Sequence, residues 1–114
     1  MNLCLNDRLA TSISFPETWS TTSKISHLQR RVLIYSIAYY EYSESIVSDV
    51  MYDTISKQLV QMQREFPEEV TQSTYWYAMK DFEGSTGFDL VGKLTNKDRE
   101  WLRKLTQFIM KLGG

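Results

Sequence analysis

The feature that most constrains this chain is a stretch rich in acids and tyrosines, residues 39–53, that separates two runs of helix-type apolar spacing. On both sides of it, apolar side chains recur every three or four residues, which places them on one face of an α-helix. The spacing predicts helices over residues 24–42 and 48–66. Residues 39–53 are therefore expected to form the joint between two helices.

Local signals predict the ends of these helices. Ser48 is expected to cap the second helix, because a serine hydroxyl accepts from the free backbone N–H groups of a first turn, and Asp49 is favourable at the positive end of the helix dipole. Pro67 lacks a backbone N–H and disfavours helix in the residue before it, so the second helix should end near Glu65. Residues 21–23, all threonine or serine, are expected to cap the first helix.

The other segments are shorter and more mixed. Residues 1–22 are expected to be irregular apart from a short strand over 9–15, where apolar and polar residues alternate. Residues 71–92 are predicted to form a short strand or β-hairpin, from the alternation at 75–79, and then a glycine-containing loop. A third helix is predicted over 95–112. The predicted fold is mainly α, with three principal helices and a minor strand or hairpin.

The third helix carries a stripe of large apolar residues. They are spaced four, three and four residues apart: Trp101, Leu105, Phe108 and Leu112. This pattern favours a core contact or a homodimer contact over a membrane contact. The cations of this helix are interleaved with Asp98 and Glu100, so direct binding to nucleic acid is not expected.

Length and composition limit the class of protein. A chain of 114 residues with a formal net charge of −1 fits one soluble domain, 1–114, with no global attraction to nucleic acid or anionic membranes. Cys4 is the only cysteine and His27 the only histidine, so neither a metal site nor a Cys/His nucleophile pair is predicted. One cysteine and no bilayer-length apolar run favour a cytoplasmic protein.

Seven carboxylates are candidate partner-binding groups. Four lie in the joint, which contains no Lys or Arg, and three lie around the loop that carries Gly84 and Gly87, called the glycine loop below. They are Glu41, Glu44, Asp49, Asp53, Asp81, Glu83 and Asp89. Brought together by the fold, they would form an acidic surface that resembles a row of phosphates. The loop itself favours a turn over a phosphate cradle, because it lacks the Lys-Ser/Thr ending of a P-loop.

The joint and the helix after it also carry a motif. Tyr39 and Tyr40 are followed by Ser-Asp-Val-Met-Tyr-Asp at 48–53 and by Phe-Pro-Glu at 66–68. This segment, about a quarter of the chain, resembles the N-terminal helical subdomain of NAD-dependent bacterial DNA ligases. In that subdomain a tyrosine-histidine pair precedes Ser/Pro-Asp-x-x-Tyr-Asp, and the helix ends in His-Pro-Glu. Tyr40 and Phe66 stand here in place of the two histidines.

The resemblance implies a nicotinamide nucleotide site. It implies that Tyr39, Asp49, Tyr52 and Asp53 help to hold the nicotinamide mononucleotide (NMN) half of NAD, and Tyr40 joins them as a candidate. Tyrosine faces can stack on the cationic pyridinium ring, and carboxylates can accept from the carboxamide or ribose hydroxyls. The same residues also fit a purely structural alternative, in which the acids are solvated at a capped helix, Tyr52 is half-buried, and Tyr39 and Tyr40 are the wet end of a core helix.

Ligase chemistry is not expected of this chain. In the resembled family, ligation also requires a nucleotidyltransferase domain with the lysine of a Lys-x-Asp-Gly motif. Residues 80–84, Lys-Asp-Phe-Glu-Gly, echo that motif only superficially, and the chain has no room for the domain. We therefore expect no enzyme activity and no catalytic residue.

Two functional hypotheses follow. The first is a macromolecular interaction module, a phage or mobile-element inhibitor whose acidic, tyrosine-rich surface engages a nucleic-acid-binding host defence protein such as a CRISPR nuclease. Small size, missing catalytic apparatus and the acidic cluster motivate it. The second is a module that binds NMN or NAD through the four residues implied by the resemblance together with Tyr40. No resident cofactor is expected in either case.

Overall fold

The computed structural model describes residues 12–113, which form five α-helices and one 3₁₀ turn. α1 is Thr21–Tyr42, α2 is Asp49–Glu65, α3 is Pro67–Val70, α4 is Trp76–Met79 and α5 is Asn96–Gly113, and the 3₁₀ turn is Val91–Lys93. Residues 12–113 contain no β-strand. The prediction of a mainly α fold with three principal helices is confirmed, and the predicted minor strand is not found in this range.

The helix ends follow from side-chain caps. The Ser20 hydroxyl accepts from the backbone N–H of Ser23 at 3.1 Å, so α1 begins three residues earlier than predicted and residues 21–23 lie inside its first turn. The Ser48 hydroxyl accepts from the backbone N–H of Met51 at 3.1 Å and fixes the start of α2. The ends of α2 and α5 each lie within one residue of the predicted position.

The strand predicted over 75–79 is wrong, because this segment forms the helical turn α4. Tyr75, Ala78 and Met79 are buried while Tyr77 is exposed, which is helical spacing and not alternation. The backbone N–H groups of Ala78 and Met79 both donate to the carbonyl oxygen of Tyr75 at 3.0 Å. The backbone N–H of Tyr75 donates to the Gln29 side chain at 3.0 Å. It is therefore not available for a hydrogen bond to a neighbouring strand.

The strand predicted over 9–15 lies partly outside the described residues, and residues 12–16 contain no strand. At Ile13 the side-chain amide of Gln58 replaces a strand partner. The Ile13 N–H donates to Gln58 Oε1 and Gln58 Nε2 donates to the Ile13 carbonyl oxygen, both at 2.9 Å. This pair attaches the segment before α1 to α2.

The core lies where α1 packs against α2 and α5. α1 is buried along most of its length, as its wide apolar stripe predicts. The largest fully buried apolar side chains of the three helices are Ile25, Leu28, Leu33 and Ile37 of α1, Ile55 and Leu59 of α2, and Leu102 of α5. Removal of this apolar surface from water is the main stabilising contribution to the fold.

A buried polar network crosses this core and fixes the chain that leads to the glycine loop. Gln29 Nε2 donates to Gln63 Oε1 at 3.0 Å and to Ser73 Oγ at 2.8 Å. Gln29 Oε1 accepts from the N–H of Tyr75, and Gln63 Nε2 donates to the carbonyl oxygen of Met79 at 3.3 Å. Both glutamines are buried, and buried amides are tolerated when their donors and acceptors are satisfied. The network therefore sets the path of residues 73–79 across α1 and α2.

Candidate functional site

A cavity of about 240 Å³ lies between α1, the joint, the start of α2 and the glycine loop. Helical spacing explains which side chains reach it, because residues three and four apart share a helix face. The lining residues are Tyr35, Ser36, Tyr39 and Tyr40 of α1, residues 45–47 of the joint, Asp49 and Tyr52 of α2, and residues 85 and 86 of the loop. Tyrosine rings, hydroxyl groups and one carboxylate therefore surround the space.

Tyr52 and Ser36 meet on the inner side of the cavity. The Tyr52 hydroxyl lies 3.5 Å from Ser36 Oγ, and Ser36 Oγ donates to the Val32 carbonyl oxygen at 2.8 Å. Burial raises the pKa of Tyr52 above its ordinary value, against smaller opposing effects of hydrogen bonds to Ser36 and Ser56. The Tyr52 hydroxyl therefore stays protonated at neutral pH and is able to donate to a ligand.

Three other tyrosines present ring surface to the cavity. Tyr39 and Tyr40 are 56% and 43% exposed, and their rings meet edge to face with centroids 4.9 Å apart. Tyr35 is buried, and its hydroxyl accepts from Arg31 Nε at 2.6 Å. Both exposed rings therefore keep accessible surface, which fits a ligand contact and fits equally the structural alternative in which they form the wet end of a core helix.

The charge of the cavity is negative. Asp49 is the only carboxylate among its lining residues, and none of them is Lys, Arg or His. Such a lining favours a cationic group and disfavours a phosphate inside the cavity. Within residues 12–113, no three His, Cys, Asp or Glu side chains converge in a way that could hold a metal ion.

Four of the five candidate nucleotide-binding residues line this cavity, and Asp53 does not. Successive residues of a helix are about 100° apart, so Tyr52 and Asp53 project on opposite sides of Asp49. Tyr52 reaches the α1 side, where the cavity lies. The Asp53 carboxylate instead pairs with Lys57 Nζ at 2.9 Å, one turn further along α2.

The seven candidate partner-binding acids are all exposed, but the structure divides them among different surroundings. Only Asp49 lines the cavity. Glu41 accepts from Arg103 Nε and Nη2 of α5 at 2.6 and 2.9 Å, so α5 cancels one charge of the joint. Glu83 lines a separate depression that Lys57 and Arg64 also border.

The apolar stripe of α5 points largely to solvent. Trp101, Phe108 and Leu112 are 51%, 58% and 73% exposed, whereas Leu102 and Thr106 are the buried residues of this helix. A core role is thus wrong for these three side chains, and a homodimer contact remains a prediction for them. In the part of the chain described, no helix is long and apolar enough to cross a membrane.

Comparison with known proteins shows the family of this chain. Residues 18–74, half of the chain, match the family model of the DNA ligase-like, N-terminal NAD+-binding domain. The chain belongs to this family. A DNA ligase from Leuconostoc citreum (strain KM20) is similar to it, with 37% identity over 54 residues. That match covers 47% of this chain and 8% of the ligase, and no solved structure matches the chain.

The family match covers α1, the joint, α2 and α3, and it ends before the glycine loop. The matched range contains nine of the eleven residues that line the cavity. The other two, Ser85 and Thr86, come from the other half of the chain. Sequence reasoning missed Tyr35, Ser36, the joint residues 45–47 and this loop wall. For the loop, the available signal was its glycines, which permit close approach of one backbone to another element.

Proposed function

We propose that the protein binds a nicotinamide nucleotide, either NMN or the nicotinamide end of NAD, in the cavity between α1 and α2. The observation that carries this proposal is the convergence of Tyr39, Tyr40, Asp49 and Tyr52 on one cavity. Membership of a family described as an NAD+-binding domain supports the same class of ligand.

The lining chemistry is suited to an oxidised nicotinamide ring. The ring is cationic, so the face of Tyr39 or Tyr40 can attract it and the Asp49 carboxylate adds a favourable negative charge. Asp49 can also accept from the carboxamide N–H₂ or from a ribose hydroxyl. The protonated Tyr52 hydroxyl supplies a donor for a carboxamide or ribose oxygen.

The size and charge of the cavity suggest which part of the ligand is enclosed. Pockets for complete small-molecule ligands are roughly 300–1,000 Å³, and this cavity is about 240 Å³. A nicotinamide ring with its ribose suits the smaller space. The phosphate, and the adenylyl half in NAD, would remain outside, because no lining residue offers a cation to pair with them.

The acidic interaction surface is less well supported. Exposure of all seven acids is compatible with docking, but Glu41 and Asp53 already have cationic partners within the chain. Nothing specific to an inhibitor or to a nuclease partner favours that hypothesis, which stays a prediction. Binding without catalysis, in the cytoplasm, remains our expectation for the nucleotide module.

Calorimetric titration with NMN, NAD and AMP tests the proposal. We expect micromolar binding of NMN and NAD, and Asp49→Asn should weaken it by about tenfold or more, since a hydrogen bond to a charged group contributes about 1.5–3 kcal/mol. Asp53→Asn is the matched control, because it removes an equal charge from the same helix outside the cavity.

Two results would contradict the proposal. The first is an absence of heat with millimolar NMN and NAD for the unaltered protein. The second is an equal loss of affinity in Asp49→Asn and Asp53→Asn, which would indicate a general charge effect and not a contact in the cavity. Thermal unfolding of both variants without ligand verifies that each one keeps its fold.

A further inference from the structure

The glycine loop, residues 84–88, forms one wall of the cavity and lies outside the family-matched half of the chain. The loop starts at Gly84, whose φ of 88° is a left-handed conformation that glycine adopts without strain. Ser85 and Thr86 then line the cavity opposite side chains of α1 and α2. A segment distant in sequence therefore determines how much space the site has.

Gly87 places this loop in direct contact with the inner side of the cavity. A Cβ atom at position 87 would lie 1.9 Å from Ser36 Oγ and 2.9 Å from Ser36 Cβ, and 2.8 Å from the Tyr52 hydroxyl oxygen. These distances are far below van der Waals contact, and a rotation of the Ser36 side chain would not relieve the contact with its Cβ. The loop therefore has no room to move inward, and only outward movement could enlarge the cavity.

Tyr40 holds the loop against outward movement. The Tyr40 hydroxyl lies 2.7 Å from Thr86 Oγ1, and Thr86 Oγ1 also accepts from the backbone N–H of Phe88 at 3.2 Å. The Tyr40 ring meets the Phe88 ring edge to face, with centroids 5.4 Å apart. One α1 side chain thus contacts the loop through both its hydroxyl and its ring.

We propose that the hydroxyls of Tyr40 and Thr86 form a latch that keeps the 84–88 loop in place as the specificity-determining wall of the cavity. By holding the loop, the latch keeps the cavity at about 240 Å³, and we expect a released wall to admit the adenine nucleotide AMP more readily. This inference rests on the proposed function for its ligand. The hydroxyls of Tyr40 and Thr86 are positioning groups here, because they act on the ligand through the position of the loop, whereas the Tyr40 ring is itself a proposed ligand contact.

Selectivity between NMN and AMP is the first measurement. Tyr40→Phe and Thr86→Val each remove one hydroxyl of the latch while keeping most of the side-chain volume. We expect the ratio of AMP to NMN dissociation constants to fall about threefold to tenfold in each variant, which corresponds to the loss of one ordinary hydrogen bond. The double variant should lose no more selectivity than Thr86→Val alone, because both changes break the same pair and only Thr86→Val also removes the acceptor of the Phe88 N–H. Thr86→Ser should retain the selectivity of the unaltered protein.

Tyr77→Phe is the control, since Tyr77 donates to Asp98 near the start of α5 and does not line the cavity. Its NMN to AMP selectivity should not change. Two results would overturn the proposal. One is an additive loss of selectivity in the Tyr40→Phe/Thr86→Val double variant, and the other is an unchanged ratio of AMP to NMN dissociation constants in both single variants.

Hydrogen exchange measured without ligand tests the latch independently of the proposed function. Tyr40→Phe removes no backbone hydrogen bond of the loop, so faster exchange of the 84–88 amides in this variant would report loss of the latch itself. Unchanged exchange would overturn the latch whatever the ligand data show. If the unaltered protein took up no nicotinamide nucleotide, the proposed function and the selectivity would fail, and the exchange result would still decide whether the loop is latched.

Discussion

His27 illustrates how its surroundings alter the chemistry of a single residue. Its ring lies among the rings of Phe15 and Trp19, each with a centroid 5.7 Å from that of His27. Burial, followed by the positive charges of Arg31 and Arg30, lowers the pKa of His27 below its ordinary value of 6.5. The folded protein therefore binds the imidazole proton less tightly than the unfolded chain does.

We expect His27 to make the free energy of unfolding decrease on acidification. Its contribution is fully present above the unfolded pKa and is lost as the pH falls through the lower, folded pKa, because the unfolded state takes up the proton first. Urea unfolding at about pH 7.5 and about pH 5.5 measures the loss while most carboxylates stay ionised. His27→Gln, which does not titrate, should show a smaller loss between the two pH values. An equal loss in His27→Gln would assign the pH dependence to other groups.

At the scale of helices, α5 carries a buried face and an exposed apolar stripe side by side. Leu102 and Thr106 are buried and one turn apart, and the Thr106 hydroxyl donates to the Leu102 carbonyl oxygen at 2.7 Å. Because this bond satisfies the threonine within the helix, a polar residue can lie on the core face. Hydrophobic spacing alone predicted the stripe that begins at Trp101, and of its four side chains only Leu105 packs against the core.

Two Leu→Ala substitutions in α5 should therefore have very different effects. Leu102 is fully buried and Leu112 is 73% exposed, so the same chemical change is made in the core and at the surface. Leu102→Ala is expected to lower the free energy of unfolding by about 2–5 kcal/mol, and Leu112→Ala by about 0.5 kcal/mol or less. Denaturant unfolding of both variants measures the difference. Similar losses would mean that Leu112 packs against an element or partner that covers it in solution.

The elements that sequence patterns predicted well are those set by local chemistry. α2 is such a case, because the Ser48 cap and Pro67 specify its ends within the segment itself. The segment 75–79 was misread as a strand, because its conformation depends on the Gln29 amide from 46 residues earlier in the chain. An alternating pattern contains no information about such a distant partner.

Among the site residues, too, the sequence predicted those placed by local chemistry and missed those placed by distant contacts. Asp49 and Tyr52 are three residues apart on one helix, so a short motif was sufficient to place them together. Asp53 belongs to the same motif, yet the orientation of α2 against α1 turns it away from the cavity and towards Lys57. Thr86 was missed because its role arises from the approach of the loop to Tyr40, a contact across 46 residues of chain.

At the scale of the whole molecule, the family-matched half does not contain its own complete core. α1 and α2 lie within residues 18–74, but several of the side chains buried against them come from the other half. These are Tyr75, Met79, Phe82, Leu90, Leu94 and Leu102. The second half of the chain therefore supplies both a wall of the cavity and a part of the hydrophobic core.

A chain that ends at residue 74 should therefore fail to unfold cooperatively. Truncation there exposes apolar surface of α1 and α2, and it leaves Gln29 without the backbone N–H of Tyr75 to satisfy its side-chain oxygen. Removal of residues 112–114 is the control, because Leu112 is largely exposed and the loss should preserve the transition. Thermal unfolding followed by circular dichroism compares the two with the full chain. A sharp transition in the 1–74 fragment, with a midpoint near that of the full chain, would show that the matched half folds independently and that residues 75–113 are an appendage to it.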